Sequence, residues 1–249
     1  MDLVDAVLIL IAGAAAGTIN SIVGSGTLIT FPTLLALGYP PVVANVSNTV
    51  GLVPGSFAGA WGYRRELDGQ RGRLTRFAIG STLGGVTGAA LLLVLPEDAF
   101  DTIVPALIGL AVILVIIQPW ISRKLASRPD RHAHGGPWLM VGIVLTGVYG
   151  GYFGAAQGVI LIAVMATALT DPLQRLNAMK NVLAGLVNLV AALLFIVVAE
   201  VDWAVAGLIA CGAVGGGFLG SVVGRLLPPV VLRALIVVIG SVAVLVLVM

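Results

Sequence analysis

An apolar run from Leu3 to Leu37 is broken once, at Gly24-Ser25-Gly26, directly after the polar pair Asn20-Ser21. A helix in lipid satisfies its own backbone and a break does not. A break at membrane depth is therefore tolerated only where protein buries it or where it lines a cavity. Further apolar runs reach the roughly 20 residues needed to cross a bilayer as a helix. Hydrophobic residues make up 59% of the chain and charged ones 10%, well under the soluble norm of about 25%, which excludes an ordinary soluble domain. The net charge of +2 is no nucleic-acid footprint, because the basic residues lie in loops. The single cysteine, Cys211, allows neither an internal disulfide nor a cysteine metal cluster. The N-terminus lacks a basic n-region and reads as retained membrane segment rather than signal peptide.

Leu3–Val23 forms a first arm, and Thr27–Leu37, containing Pro32, a short one. Eleven helical residues rise about 16 Å, half the hydrocarbon core, so the short arm reads as re-entrant. Gly38-Tyr39-Pro40-Pro41 turns the chain, and Val42–Tyr63, Phe77–Leu95 and Phe100–Ile121 can each cross. Ser122–Pro137 is a hydrophilic linker. Beyond it the plan repeats, with an arm at Trp138–Phe153, a break at Ala155-Ala156-Gln157-Gly158 and a short arm at Val159–Leu169. Asn181–Ala199, Val201–Leu226 and Val230–Met249 then cross.

A constant offset of 132 aligns the halves: Gly26 with Gly158, Pro40 with Pro172, Asn45 with Asn177, Gly84-Gly85-Gly88 with Gly216-Gly217-Gly220, Leu95-Pro96 with Leu227-Pro228. On this register Gln157 stands where Ser25 does. The expected fold is an all-α polytopic membrane protein of two inverted repeats, each a re-entrant helical hairpin plus three transmembrane helices. Residues 1–121 form the first membrane repeat, 122–137 a cytoplasmic linker and 138–249 the second repeat. Three crossings per half invert one half relative to the other, and all 13 Lys and Arg then fall on one face. The positive-inside rule makes that face cytoplasmic and puts both termini on the outer face of the cell membrane. Asp2, Asp5, Glu97, Asp98, Asp101, Glu200 and Asp202 fall on the other.

Inverted repeats with broken helices are the pattern of secondary transporters, which bind substrate near the midplane. A helix beginning at a break presents free N–H groups and a partial positive charge, which suits an anion. Two such ends facing each other would hold a small one, with Ser25 and Gln157 as side-chain donors and the glycines allowing close approach.

The chain resembles the TauE/SafE sulfite exporter family over essentially its whole length. The resemblance rests on Gly24-Ser25-Gly26-Thr27-Leu28-Ile29-Thr30-Phe31-Pro32, on Gly38-Tyr39-Pro40-Pro41 followed by Val42 to Thr49, and on the Tyr63-Arg64-Arg65 exit. In the second half it rests on Asn177-Ala178-Met179-Lys180-Asn181 and Asp202-Trp203. It implies transport of sulfite, sulfonates or related small organic anions, driven by a coupling ion, proton or sodium. Members often carry a richer glycine run after the first break, and Ala155–Gly158 departs further.

The expected substrate-binding set is Asn20, Ser21, Gly24, Ser25, Gly26, Asn48, Thr49, Gln157, Gly158, Lys180 and Asn181. Residues 45, 48 and 49 share a helix face, as do 177, 180 and 181. Each polar residue also has a plainer reading. Asn45 and Asn177 cap helices as readily as they bind, Lys180 either faces the substrate or snorkels to the cytoplasmic surface, and Asn188 glues helices. Tyr149 and Tyr152 read as packing beside the second break, and His132 and His134 as a solvated loop. No metal, cofactor, catalytic set or intramembrane proton-relay carboxylate stands out. The expected partners are a small anion, the lipid bilayer, a coupling ion and a second copy in a homo-oligomer, with no nucleic acid. A solute channel and a non-transporting membrane scaffold are the rival readings.

Overall fold

The computed structural model describes residues 1–126 and 136–223, with isolated positions 234, 237, 238 and 241. His132, His134, Arg225, Leu227-Pro228, Arg233 and the expected last crossing lie outside the described residues. Among those described the structure is helical: α1 (Leu3–Ile22), α2 (Thr27–Ala36), α3 (Pro41–Gly62), α4 (Arg71–Val94), α5 (Glu97–Ala126), α6 (Pro137–Tyr152), α7 (Gln157–Ala168), α8 (Leu173–Val198) and α9 (Trp203–Val223). Local chemistry sets the starts. The Asp2 carboxylate accepts from Asp5 N–H at 2.8 Å and the Asp5 carboxylate from Asp2 N–H at 3.1 Å, closing a capping box on α1. Pro41 and Pro137 open α3 and α6, where a missing N–H costs nothing.

Among the described residues, five helices are long and apolar enough to cross a membrane: α1, α4, the Asp98–Ile117 part of α5, α8 and α9. α1, expected to be one arm of a hairpin, is thus itself long enough, at about 30 Å. α2, with 10 residues, is not. α3 has the length but not the apolarity, because it carries Asn45, Ser47, Asn48, Thr49 and Ser56. All five are buried against neighbouring helices rather than presented to lipid. The outer surface is apolar instead, with Leu83, Leu145, Val197 and Val222 each at least 62% exposed, as a lipid-facing surface requires.

α3 and α8 pack on each other. α3 also packs on α9 and α8 on α4, and the flanking contacts are α1 on α9 and α6 on α4. Two of these contacts match residue for residue. A Cβ on Gly84 or Gly88 of α4 would strike the carbonyl oxygens of Val144 and Val148 on α6. A Cβ on Gly216 or Gly220 of α9 would strike those of Ala14 and Thr18 on α1. Such small-residue faces let membrane helices approach backbone to backbone.

These contacts correct the expected register. The glycines are offset by 132, but the carbonyls they meet are offset by 130. The breaks agree: Val23 and Gly24 N–H donate to Ile19 O, and Phe153 and Gly154 N–H donate to Tyr149 O. Gly24 and Gly154 share positive φ, +87° and +79°, a conformation that costs glycine little. The second break is therefore residues 153–156, not 155–158, and Gln157 is the first residue of α7. Ser25 corresponds to Ala155 and Thr27 to Gln157. The difference is absorbed in α7, 12 residues long against 10 in α2.

Opposite ends of the bundle carry opposite charge. Asp171, in the turn before α8, accepts from Arg73 of α4 at 2.7 Å and from Arg175 at 3.3 Å, beside a cleft of about 590 Å³ lined by Gln70, Arg76 and Thr170. At the other end Asp202 N–H donates to Ser47 Oγ at 2.9 Å. There burial first, then the carboxylates of Asp202 and Asp5, push the Tyr39 phenol above its ordinary value.

Candidate substrate site at the helix breaks

The end of α1 leaves backbone carbonyls without intrahelical partners, as every helix end does. Three side chains of α8 take them. Lys180 Nζ donates to Asn20 O at 2.7 Å and to Ser21 O at 3.2 Å, while Asn177 and Asn181 Nδ2 donate to Ser21 O at 3.1 and 3.2 Å. The spacing 177, 180, 181 supplies this fork, since three- and four-residue steps share a helix face. Lys180 does not snorkel: it is 0% exposed. No ion pair reaches it among the described residues. Its stem lies at the crossing of the first break and the first turn of α7, where Gly158 N–H donates to Gly24 O at 3.0 Å. A Cβ on Gly158 would come within 2.7 Å of Lys180 Cδ.

The two short helices start alike but for the first amides of each helix. α7 opens with its amides engaged: Gln157 donates to Gly154 O, Gly158 to Gly24 O and Val159 to Ala156 O. In α2 the first engaged amides are those of Leu28 and Ile29; the amides of Ser25 and Gly26, like those of Ala155 and Ala156, donate to no described group, and Thr27 N–H, unlike that of Gln157, joins them. On the corrected register both ends keep free amides, and α7 differs in that Gln157 N–H is engaged and Gly158 N–H docks against the glycine of the first break. Ala156 at the start of α7 sits at φ +57°, an uncommon conformation for a residue with a Cβ, and is fully buried.

Ser21 Oγ, Ser25 Oγ, Gln157 Nε2 and Asn177 Oδ1, on the segments that meet here, are buried without partners, as are Asn45 Oδ1, Ser81 Oγ and the Tyr152 hydroxyl elsewhere. Interior polar groups are normally hydrogen-bonded, so such atoms need an explanation, and a missing ligand is one. The Gln157 amide lies against Gly150 of its own hairpin. Asn48 belongs to a second group, in which Thr30 Oγ1 donates to Asn48 Oδ1 and Asn48 Nδ2 donates to Thr27 Oγ1 at 3.4 Å, tying α3 to α2. Thr49 Oγ1 donates to Asn45 O within its own helix at 2.8 Å and joins neither group.

Several participants were not apparent from sequence. Ser56 Oγ takes Asn20 Nδ2 at 3.3 Å and Asn188 Nδ2 at 3.5 Å, and Ser56 and Asn188 are 132 residues apart, a signal the repeat register carried. Thr27 and Thr30 lay inside a run read as apolar, and Gly154 was hidden by the uniform offset. Tyr149 hydroxyl donates to Ala155 O across the second break, so this tyrosine bonds as well as packs. Phe31, Phe100 and Phe153 meet near edge-on, with Phe31 and Phe153 centroids 5.2 Å apart. This aromatic cluster joins α2, α5 and the second break.

Residues 9–247 match the family model described as sulfite exporter TauE/SafE. The chain belongs to this family. Among curated relatives, "Probable membrane transporter protein YfcA" of Escherichia coli strain K12 is 28% identical over 208 residues, covering 83% of this chain and 76% of the relative. "Probable membrane transporter protein" of Haemophilus influenzae is 26% identical over 212 residues, 84% and 81% of the two chains. "Probable membrane transporter protein ORF9" of a Sinorhizobium species is 27% identical over 213 residues, 85% and 80%. No solved structure matches. A membrane-transporter family and five membrane-length helices make this a multi-pass membrane protein. As a TauE/SafE member it carries, at its helix breaks, the buried lysine and the free end of α2 described above.

Proposed function

We propose that this protein is a secondary transporter of a small sulfur-containing anion, sulfite or a short sulfonate, across the cytoplasmic membrane. One observation carries the reading: a lysine is fully buried where the first break crosses the start of α7, with only backbone carbonyls as partners. A charge taken out of water needs an opposite charge, and no protein carboxylate supplies one among the described residues. An anion does. Lys180 gives the charge, and the amides of Ser25, Gly26 and Thr27 with the Ser25 hydroxyl give directed hydrogen bonds. Gln157 adds a donor, Gly24 and Gly158 the close approach, and Asn20, Ser21, Asn48 and Asn181 hold the walls. Thr49, engaged within its own helix, is left out.

The repeats are inverted in this reading, 1–121 against 138–249 through a cytoplasmic linker at 122–137, and rocking of one on the other gives alternating access. The recurring contacts of α1 on α9 and α6 on α4 support it. So does the sealed state of the centre: Ser25, Gln157 and Lys180 are 1%, 3% and 0% exposed, so solute enters only when the halves part. The basic end of the bundle is cytoplasmic and the acidic end external.

The test is a ligand panel on purified protein in nanodiscs, with counterflow in proteoliposomes. Sulfite, methanesulfonate and sulfoacetate should raise the unfolding temperature where acetate does not, and unlabelled anion on one side should speed entry of labelled anion from the other. No shift with any sulfur anion refutes the substrate class. Flux without trans-stimulation makes the protein a pore.

A further inference from the structure

We propose that Lys180 is the proton-coupling group, so that one proton and one anion cross together as a neutral pair; the inference rests on the anion-transport reading above. Lys180 is the one Lys, Arg, Asp or Glu among the buried described residues, and therefore the only interior group there of those types that can change its charge. Neutral and charged forms differ in a way the geometry matches. A neutral amine has two N–H bonds and a lone pair, and Lys180 Nζ has two acceptors, Asn20 O at 2.7 Å and Ser21 O at 3.2 Å. Both N–H bonds of the amine are satisfied, and the third tetrahedral direction remains for the lone pair. Protonation there forms a third N–H bond with no protein acceptor. The unpartnered Ser25 Oγ and Gln157 Nε2 and the free amides at the start of α2 lie on the segments that meet at this crossing, and they are donors for an anion.

Two states of the centre therefore carry no net charge, the empty amine and the ammonium holding an anion. The ammonium alone is a buried charge without a counter-charge, and an anion on the amine alone is the same with opposite sign. Both are disfavoured in a low-dielectric interior. Proton and anion binding are thereby linked, each strengthening the other. On loading, water on one side gives a proton to the Lys180 lone pair as the anion binds. On release at the other side the anion leaves, the third N–H bond breaks and the proton returns to water. No redox step occurs and one proton moves per monovalent anion, in the same direction.

No neighbouring group supplies an alternative counter-charge. From α1 the facing groups are the carbonyls of Asn20 and Ser21, and α8 itself presents Asn177 and Asn181. α3 and α7 contain no Lys, Arg, Asp or Glu. α4 carries Arg71, Arg73 and Arg76 in its first turns, where Arg73 pairs with Asp171, and the Arg64–Leu67 turn carries Arg64, Arg65 and Glu66. α6 offers Tyr149, whose hydroxyl donates to Ala155 O, and Tyr152. Lys180 Nζ itself bonds only to the two carbonyls of α1.

Methanesulfonate is the probe, because it stays ionised across the working pH and no neutral acid leaks through lipid. In proteoliposomes with a trapped pH dye and voltage clamped at zero, an inward methanesulfonate gradient should acidify the lumen at one proton per anion. Lys180→Arg, charged at every pH, should lower the protons carried per methanesulfonate to the protein-free leak, whatever share of the anion flux it retains. Lys180→Met should lose both counterflow and acidification. Counterflow without lumen acidification in the wild type, a ratio other than one to one, or acidification persisting in either variant overturns the coupling while leaving anion transport standing. Absence of counterflow in the wild type overturns the transport reading and the coupling with it. If the Lys180→Arg or Lys180→Met variant does not fold, the wild-type ratio alone decides.

Discussion

Replacing Gly158 by alanine tests whether the contact between the first break and the start of α7 organises the protein. Gly158 lies in the first turn of α7, and an added Cβ would fall 2.7 Å from Lys180 Cδ and 3.0 Å from Gly24 O, with Gly24 Cα closer still. Most of the obstruction is backbone, which cannot rotate away. Overpacking costs about 1–3 kcal/mol. Separation of the breaks also loses the Gly158 N–H to Gly24 O bond, at about 1 kcal/mol. Alanine returns about 1 kcal/mol through helix propensity. The balance is a loss of about 1–3 kcal/mol, concentrated at the breaks. Gly207→Ala in α9 is the matched control: nothing lies within 4 Å of its Cβ position, so only the propensity gain applies. Unfolding in detergent should show Gly158→Ala destabilised and Gly207→Ala equal to or above wild type, with anion binding lost only in the former. If both variants unfold alike and bind alike, the breaks do not depend on this contact.

Two further outcomes follow from particular residues. Ala156→Gly removes the Cβ from a position at φ +57° and should stabilise the protein by up to about 1 kcal/mol in the same assay, offset by added unfolded-state freedom; a clear loss of stability would mean the methyl contributes packing that outweighs its strain. For orientation, native Cys211, which is exposed, is first replaced, and single cysteines are set at exposed Arg71 and Asp98. A membrane-impermeant thiol reagent applied to intact cells should label position 98 and spare 71, and the reverse pattern would invert the topology.

Much of this protein was open to reading from its sequence alone, because lipid imposes a strong rule. Long apolar segments must be helices, so residue type alone determined the all-helical class and the interruption at Gly24-Ser25-Gly26. The 132-residue offset held for the glycine faces of α4 and α9 and for the helix starts at Pro40 and Pro172, since each serves the same local contact in both halves. Helical spacing likewise put residues 177, 180 and 181 on one face.

What that face meets was decided only by the tertiary structure. Lys180 could reach the cytoplasmic surface or turn inward, and its stem is long enough for either. It turns inward because the last turn of α1 brings two unpaired carbonyls beside α8, a juxtaposition of residues 160 apart that no local signal encodes. The same is true of the second break. Sequence aligned Gln157 with Ser25, whereas backbone conformation aligns Gly154 with Gly24, because a positive φ and its hydrogen bonds are properties of the folded chain. Sequence supplied the polar groups and their spacing along each helix. Only packing determined which carbonyls they would satisfy and which donors would be left without a partner.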